Sequence, residues 1–360
     1  MADPIAATPP PETIDVRSDE RFDEAKVAAY MRDRVPGGDR AMSVLQFGGG
    51  HANLTYLLRF GDGPDALEYV LRRPPLGPVA PGSHDMKREY RALSKLWQGF
   101  PKAPRAYVLC EDDAVIGAPF FVMERRRGVV VRGVIPEAFG GGGDPDANRA
   151  LSRVVIDVLA EFHDVDPEPI GLGAIGRPEG FLERQVTGWA GRYERARTAD
   201  VPIAEEVRRW LVDQRPASPP RTLLHNDWRL DNMAVAEEDP GRCVAVYDWD
   251  MCTLGDPLCD LGTVLGVWND PEDHAQGATA MPTHAPGFMS RKQAAARYGE
   301  VSGRDLSTLD YYVVFGTFKM AVVLQQIYFR YAKGQTRDER FAGMAEGAQR
   351  LFELAAERRP

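Results

Sequence analysis

The chain has 360 residues, with 44 Lys and Arg against 53 Asp and Glu and a formal net charge of −9. That balance argues against a nucleic-acid partner, because neutralising phosphates needs a basic surface. A hydrophobic share of 44% supports a large core, and at about 150 residues per domain the length suits two domains or one two-lobed unit. No unbroken apolar run of about 18–20 residues is present to span a bilayer, and Met1-Ala2-Asp3-Pro4 lacks the basic and apolar regions of a signal peptide. The expectation is a soluble, cytoplasmic protein without a membrane partner. Cys110, Cys243, Cys252 and Cys259 form no C-x-x-C pair, and they read as buried free thiols rather than a disulfide framework or a zinc site.

Residues through about Glu20 are rich in Pro and Ala, include Pro9-Pro10-Pro11, and predict an unstructured arm. From Arg21 to Arg34 the residues Phe22, Ala25, Val27, Ala28, Ala29 and Met31 fall mostly at helical spacing, until Pro36-Gly37-Gly38 stops them. Three strand-like stretches follow, Ser43–Phe47, Thr55–Phe60 and Glu68–Arg73. Gly48-Gly49-Gly50-His51-Ala52-Asn53 separates the first two and Gly61-Asp62-Gly63-Pro64 the last two, as in an antiparallel meander. Ser83 is the predicted N-cap of a helix whose Met86, Tyr90, Leu93 and Trp97 recur at three- and four-residue spacing, the stripe that packs on a sheet. Two more β-like runs, Ala106–Cys110 and Pro119–Glu124, complete the pattern, and a lobe boundary is placed near Glu124. Beyond it Ala147–His163, Glu183–Ala196 and Ser307–Tyr331 read as helices, interrupted by one β-like island from Thr222 to Trp249. No fixed-period repeat occurs. The expected organisation is an arm over 1–20, a small antiparallel sheet lobe over 21–124 and a larger, mostly helical lobe over 125–360.

The island carries the chemistry. It runs His225-Asn226-Asp227-Trp228-Arg229-Leu230-Asp231-Asn232 and, after a polar turn of Glu237-Glu238-Asp239-Pro240-Gly241, Cys243-Val244-Ala245-Val246-Tyr247-Asp248-Trp249-Asp250. This is the pattern of a loop followed by a β-hairpin. Moving a phosphoryl group requires a carboxylate to orient the acceptor hydroxyl and oxygen ligands to hold Mg²⁺ on the phosphates. Asp227, Asn232 and Asp248 are those residue types, and His-x-Asp-x-x-x-x-Asn is the kinase-type catalytic-loop spacing. Taken alone the spacing also suits a packed histidine and a turn asparagine. If the strand continues past Asp248, then Asp248 and Asp250 share a face, although Asp250 also reads as a solvated acidic cap.

With Gly255-Asp256-Pro257-Leu258-Cys259-Asp260-Leu261-Gly262 after the hairpin and Leu159-Ala160-Glu161-Phe162-His163-Asp164-Val165-Asp166 before it, the chain resembles the aminoglycoside phosphotransferase-like branch of the protein-kinase-like fold. The resemblance spans roughly Asp39 to Arg350. Val70-Leu71-Arg72-Arg73-Pro74-Pro75, Arg88-Glu89-Tyr90-Arg91 and Phe120-Phe121-Val122-Met123-Glu124 look most like the subfamily found fused to acyl-CoA dehydrogenases or standing alone in bacteria. It implies an α+β, bilobal protein-kinase-like fold that binds ATP and Mg²⁺, with Asp227 as the catalytic base and Asn232 and Asp248 as the metal ligands. Gly48, Gly49, Gly50 and Asn53 then lie where backbone N–H groups approach nucleotide phosphates, although a plain flexible hairpin has the same composition. Arg72 stands where the kinase fold places a phosphate-contacting Lys, with Glu89 as its partner. Arginine keeps the charge but is not interchangeable with lysine. Met123 and Glu124 are placed at the hinge, with backbone groups facing adenine. Arg125-Arg126-Arg127 reads as a solvated basic run or as a patch facing phosphate or CoA.

A protein-kinase reading is disfavoured, because Asp227-Trp228-Arg229 has no Lys two residues after the Asp and no A-P-E follows Gly255-Asp256-Pro257. The implied partner is a small-molecule hydroxyl acceptor, held by residues of the helical lobe such as Trp268, Tyr311, Tyr312, Phe315 and Lys319. The subfamily resemblance favours a hydroxyacyl-CoA-type acceptor. An aminoglycoside or other antibiotic phosphotransferase and a non-catalytic nucleotide-binding module are the alternatives.

Overall fold

Short strands, several of them buried on both faces, build the first part of the molecule. The computed structural model describes residues 12–48, 53–77, 85–218, 220–270, 281–336 and 338–360. The chain divides into two units, Met1–Arg126 with Asp248–Asp250, and Arg127–Tyr247 with Met251–Pro360.

The first unit contains β1 (Thr13–Ile14), α1 (Glu24–Met31), β2 (Met42–Phe47), β3 (Leu54–Phe60), β4 (Leu67–Arg73), α2 (Met86–Leu96), β5 (Ala106–Cys110), α3 (Asp113–Ile116) and β6 (Phe120–Glu124). Among the described residues its six strands form one sheet in the order β1-β2-β3-β4-β6-β5. All neighbours are antiparallel, with Leu57 opposite Val70 and Val70 opposite Met123. Tyr56, Leu58, Phe60, Tyr69, Leu71, Phe120 and Val122 form one core with Val27 and Met31 of α1. Residue alternation then turns Val70 and Arg72 to the opposite face of β4.

Two expectations are corrected here. Part of the predicted arm is ordered: Thr13 and Ile14 pair with Phe47 and Gln46, and the Tyr56 hydroxyl donates to the Glu20 carbonyl at 2.7 Å. The sheet edge offers unpaired backbone groups that even a Pro-flanked segment can satisfy. The cap of α2 is Asp85, whose carboxylate accepts the Lys87 and Arg88 N–H groups at 3.0 and 3.2 Å, while Ser83 lies outside the described residues. The buried stripe of α2 is Met86, Glu89, Ala92, Leu93 and Leu96, so a glutamate occupies the inward face where Tyr90 was expected.

The second unit contains β7 (Val129–Val130), α4 (Pro145–His163), α5 (Phe181–Ala196), α6 (Pro202–Asp213), β8 (Thr222–Leu224), β9 (Met233–Ala236), β10 (Asp239–Val246), β11 (Thr253–Gly255), α7 (Pro257–Gly266), α8 (Arg291–Ser302), α9 (Leu309–Ala332) and α10 (Met344–Glu357). β9 pairs with both β10 and β7, and β8 pairs with β11. The hairpin turn is tighter than its polar run implied, since Asp239 already pairs with Ala236. By length and composition α9 could cross a membrane, with a window of mean hydropathy 1.3. Tyr311 through Lys319 are nevertheless buried within the helical unit, as in a core helix. Cys110, Cys243, Cys252 and Cys259 are all buried free thiols.

Helices α7 and α9 approach backbone to backbone. A Cβ on Gly262 would lie 2.3 Å from the Tyr312 carbonyl oxygen, and one on Gly316 would lie 2.2 Å from the Gly262 carbonyl oxygen. The glycine that ends the Gly255–Gly262 motif is thus required by packing. Gly316→Ala should lower unfolding free energy by about 1–3 kcal/mol through overpacking. Gly188→Ala in α5, where a Cβ meets nothing within 4 Å, should be neutral or stabilising. Thermal unfolding of the two variants checks this, and equal melting temperatures would refute the close-approach account.

Candidate active site

The loop after β8 is fixed through its backbone. The Asp260 carboxylate, in the first turn of α7, accepts the His225 N–H at 2.6 Å and the Asn226 N–H at 2.7 Å. Its Oδ2 also lies 3.4 Å from His163 Nε2, and His163 Nδ1 is 2.7 Å from the Tyr298 hydroxyl. Burial works against an ionised Asp260, but His163 and the His225 N–H outweigh it and hold the carboxyl below its ordinary range. Burial pushes His163 below the ordinary imidazole value, with Asp260 opposing.

Asn226 adopts a left-handed backbone, φ 67°, at a residue type that tolerates it. Its carbonyl accepts a hydrogen bond from Lys319 Nζ at 2.5 Å, and its side-chain amide donates to the Met251 carbonyl at 2.9 Å. His225 Nδ1 accepts the Asp227 N–H at 3.2 Å, so the ring proton belongs on Nε2, 2.8 Å from the Tyr247 carbonyl. Asn232, at the end of a short 3₁₀ turn, donates Nδ2 to the Asp227 carbonyl at 2.8 Å and to Asp227 Oδ2 at 2.9 Å. The loop therefore brings two sequence-predicted residues, Asp227 and Asn232, into direct contact.

In the first unit Arg72 bridges two carboxylates. Its Nη1 lies 2.5 Å from Glu89 Oε1 and its Nη2 lies 3.1 Å from Asp248 Oδ1. Glu89 is fully buried, which pushes it up to about 8 against the pull of Arg72. Although burial opposes it, Arg72 is held above its ordinary value by Glu89 and Asp248, so the guanidinium stays charged. Asp248 does not continue a strand: β10 ends at Val246, Asp248 has φ 67°, and Trp249–Met251 is a 3₁₀ turn. The expectation that Asp248 and Asp250 share a strand face is thereby corrected, because the left-handed residue breaks the alternation.

Residues 43–287 match the phosphotransferase enzyme family. The chain belongs to it. It is 31% identical over 96% of its length to acyl-CoA dehydrogenase family member 11 of Gallus gallus, and 28% identical over 92% to the Homo sapiens protein of that name. It spans 45% and 42% of those two proteins, less than half of each. Among solved structures it is similar to a candidate aminoglycoside phosphotransferase from Ralstonia eutropha, with TM-score 0.77 and 29% identity over 94% of this chain and 98% of that one. Choline kinase from Cryptosporidium parvum shares the fold, with TM-score 0.60 at 11% identity over 93% and 95% of the two chains. The expected α+β, protein-kinase-like fold is the one present.

As a phosphotransferase site, the residues fit a Mg²⁺ ion chemically. Asn232 spends its amide nitrogen on Asp227, which leaves an amide oxygen as a hard donor, and Asp248, which belongs to the first unit, is a hard donor by the chemistry of its carboxylate. Mg²⁺ prefers one or two such protein ligands completed by phosphates and water. Of the other predicted residues, Gly48 donates its N–H to the Glu12 carbonyl at 3.2 Å and Asn53 is buried, while Gly49 and Gly50 lie outside the described residues. Met123 pairs within the sheet, and the Glu124 N–H donates to the Arg105 carbonyl at 2.8 Å.

Arg125 is not a solvated basic residue. Its guanidinium pairs with Glu12 and stacks 5.0 Å from the Phe47 ring centroid. The predicted acceptor residues Trp268, Tyr311 and Tyr312 are committed to the core, donating to the Met289 carbonyl, the Leu211 carbonyl and Asp256. The residues missed as site components are Asp260, His163 and Tyr298. The first two stand in the quoted motifs, and their signal was a lone carboxylate in the apolar helix α7 and an imidazole at the end of α4.

His163 is neutral and buried when folded, so the unfolded chain takes up its proton first. Its contribution to stability is complete above the unfolded value of about 6.5 and declines as pH falls below that toward the lower folded value. Denaturant midpoints between pH 7.5 and pH 5 should therefore fall for the wild type and fall less steeply for His163→Gln. Parallel slopes would show that the buried imidazole is not the titrating group.

Proposed function

We propose that the protein transfers the γ-phosphoryl group of ATP, with Mg²⁺, to the hydroxyl of a small hydroxyacyl-type acceptor. The observation that carries the reading is the Asp227–Asn232 pair, a carboxylate oriented by an amide whose oxygen remains for metal. Asp227 accepts a hydrogen bond from the acceptor hydroxyl and takes its proton as the new oxygen–phosphorus bond forms. Asn232 and Asp248 are the Mg²⁺ ligands in this reading, and Mg²⁺ when bound neutralises charge on the phosphates. Arg72, aligned by Glu89, meets the phosphates in place of lysine. Gly48 to Gly50 and Asn53 supply the nucleotide-facing loop, and Met123 and Glu124 the adenine side. The domains of this reading are a nucleotide-binding lobe over 21–124 and an acceptor-binding helical lobe over 125–360.

Two observations support an acyl-type rather than an aminoglycoside acceptor. One is the similarity to proteins named acyl-CoA dehydrogenase family members. The other is cationic: the Arg192 guanidinium and Lys319 Nζ lie 4.3 and 5.5 Å from the centre of the Trp189 ring, and Lys319 also holds Asn226, next to Asp227. Positive groups on an apolar ring suit an anionic, partly apolar acceptor better than a polycation.

The wild type and Asp227→Ala, each incubated with Mg-ATP and a metabolite pool containing hydroxyacyl-CoAs and aminoglycosides, should differ in one respect by mass spectrometry. Only the wild type should form a hydroxyacyl product gaining a phosphate, with Asp227→Ala about 10²- to 10⁴-fold slower. Equal rates would remove Asp227 from the mechanism. A phosphorylated aminoglycoside would replace the acyl acceptor, and Mg-ATP binding without any product would favour the non-catalytic module.

A further inference from the structure

The catalytic loop presents a third charged side chain that the reading above leaves without a task. Trp228 is buried, and its Nε1–H donates to the Val155 carbonyl at 2.9 Å. Arg229 is extended, φ −155° and ψ 158°, so Asp227 and Arg229 turn away from the anchored indole and keep 28% and 26% of their side chains exposed. Arg229 Nε lies 3.2 Å from Asp227 Oδ1 and its Nη2 lies 3.5 Å from Asp227 Oδ2. The same Nη2 is 3.4 Å from Asp231 Oδ2. One guanidinium therefore spans two carboxylates, one of which is the group meant to receive the acceptor hydroxyl.

We propose that Arg229 is a catalytic residue, whose guanidinium exchanges Asp227 for the non-bridging oxygens of the phosphoryl group in transfer. The inference rests on the assignment of Asp227 as the acceptor-orienting carboxylate. A hydroxyl bonded to Asp227 places its oxygen about 3 Å from the carboxylate, and the phosphorus it attacks lies about 3–3.5 Å beyond. A long arginine side chain already resting on that carboxylate covers this distance by rotating its own bonds. Its planar fork matches two phosphoryl oxygens as well as it matches a carboxylate. Asp231 keeps the guanidinium at the loop during the exchange.

The step balances without any other group. The acceptor O–H proton passes to Asp227, the acceptor oxygen forms a bond to phosphorus, and the bond from phosphorus to the β–γ bridging oxygen breaks. The electron pair of that bond stays on the nucleoside diphosphate. Arg229 remains protonated throughout and stabilises charge on the oxygens in flight.

The test needs no identified acceptor. Mg-ADP is titrated calorimetrically with and without aluminium fluoride, a mimic of the phosphoryl group in transfer, against the wild type, Arg229→Gln and Arg229→Lys. The wild type should bind Mg-ADP more tightly with the fluoride. Arg229→Gln should bind Mg-ADP within about twofold of the wild type and lose most of the fluoride-dependent gain, and Arg229→Lys should retain part of it. Removing a comparable donor to developing charge costs about 10²- to 10³-fold. An undiminished gain in Arg229→Gln overturns the proposal. Loss of Mg-ADP affinity by the same factor as the gain also overturns it, in favour of a purely structural role. A wild type that binds Mg-ADP and gains nothing from the fluoride overturns the phosphoryl contact alone. A wild type that binds no Mg-ADP overturns the nucleotide reading on which it rests.

Discussion

The loop that presents Asp227 depends on one carboxylate that never faces solvent. Asp260 satisfies two consecutive N–H groups, of His225 and Asn226, and two donors converging on one carboxylate require the chain to curl there. The curl is the left-handed Asn226. Such a conformation costs free energy in isolation, and here it is offset by three hydrogen bonds: N–H to Asp260, carbonyl from Lys319 and side-chain amide nitrogen to Met251. Asp260 in turn sits on α7, whose every residue is buried and whose Gly262 and Gly266 let α9 approach. The Asp227 loop is thus positioned by helix packing as well as by its own hydrogen bonds.

The first unit solves a different electrostatic problem. Arg72 and Glu89 are both buried, and a buried ion pair returns little net stability after desolvation. Its value lies in direction. Glu89 fixes one side of the guanidinium and Asp248 the other, so Arg72 has one orientation instead of many rotamers. A lysine would give a single point charge to share between these two carboxylates, whereas the fork of arginine addresses each with a separate nitrogen. The substitution for the usual lysine is therefore built into its surroundings and is not an isolated change.

Much of this was readable in the chain. Strands β2 to β6 follow from alternation and turn residues, and their limits fall within a residue of those expected. The contact of Asp227 with Asn232 was foreshadowed by their spacing in one short loop, and the roles proposed for them rest on the residue types that phosphoryl transfer needs. What the sequence hid was tertiary. Periodicity put Tyr90 on the inward stripe of α2 that Glu89 takes, and only the family resemblance pointed to Glu89 as the partner of Arg72. The ordered segment at Thr13–Ile14 exists because β2 has an open edge, a property of the sheet and not of the Pro-rich segment. Tyr311, Tyr312 and Phe315 of α9 suited either a pocket or the core and are core, since periodicity cannot separate a helix face toward a ligand from one toward another helix.

Asn226 and Asp248 are two of the three non-glycine residues with positive φ among those described, and each bears on the proposed site. One precedes Asp227, the carboxylate proposed to orient the acceptor, and the other is a proposed metal ligand itself. A strand or helix would have aimed these side chains by its own period, two residues or three and a half. A single left-handed residue instead resets the direction of the chain, so that Asp227 and Asp248 escape the pattern of the strands leading to them. Asn and Asp accept that conformation at lower cost than other L-residues and also carry the oxygen ligands that Mg²⁺ takes. The same two residue types thus serve the geometry and the chemistry, which is why the most informative residues of the sequence stand where regular structure stops.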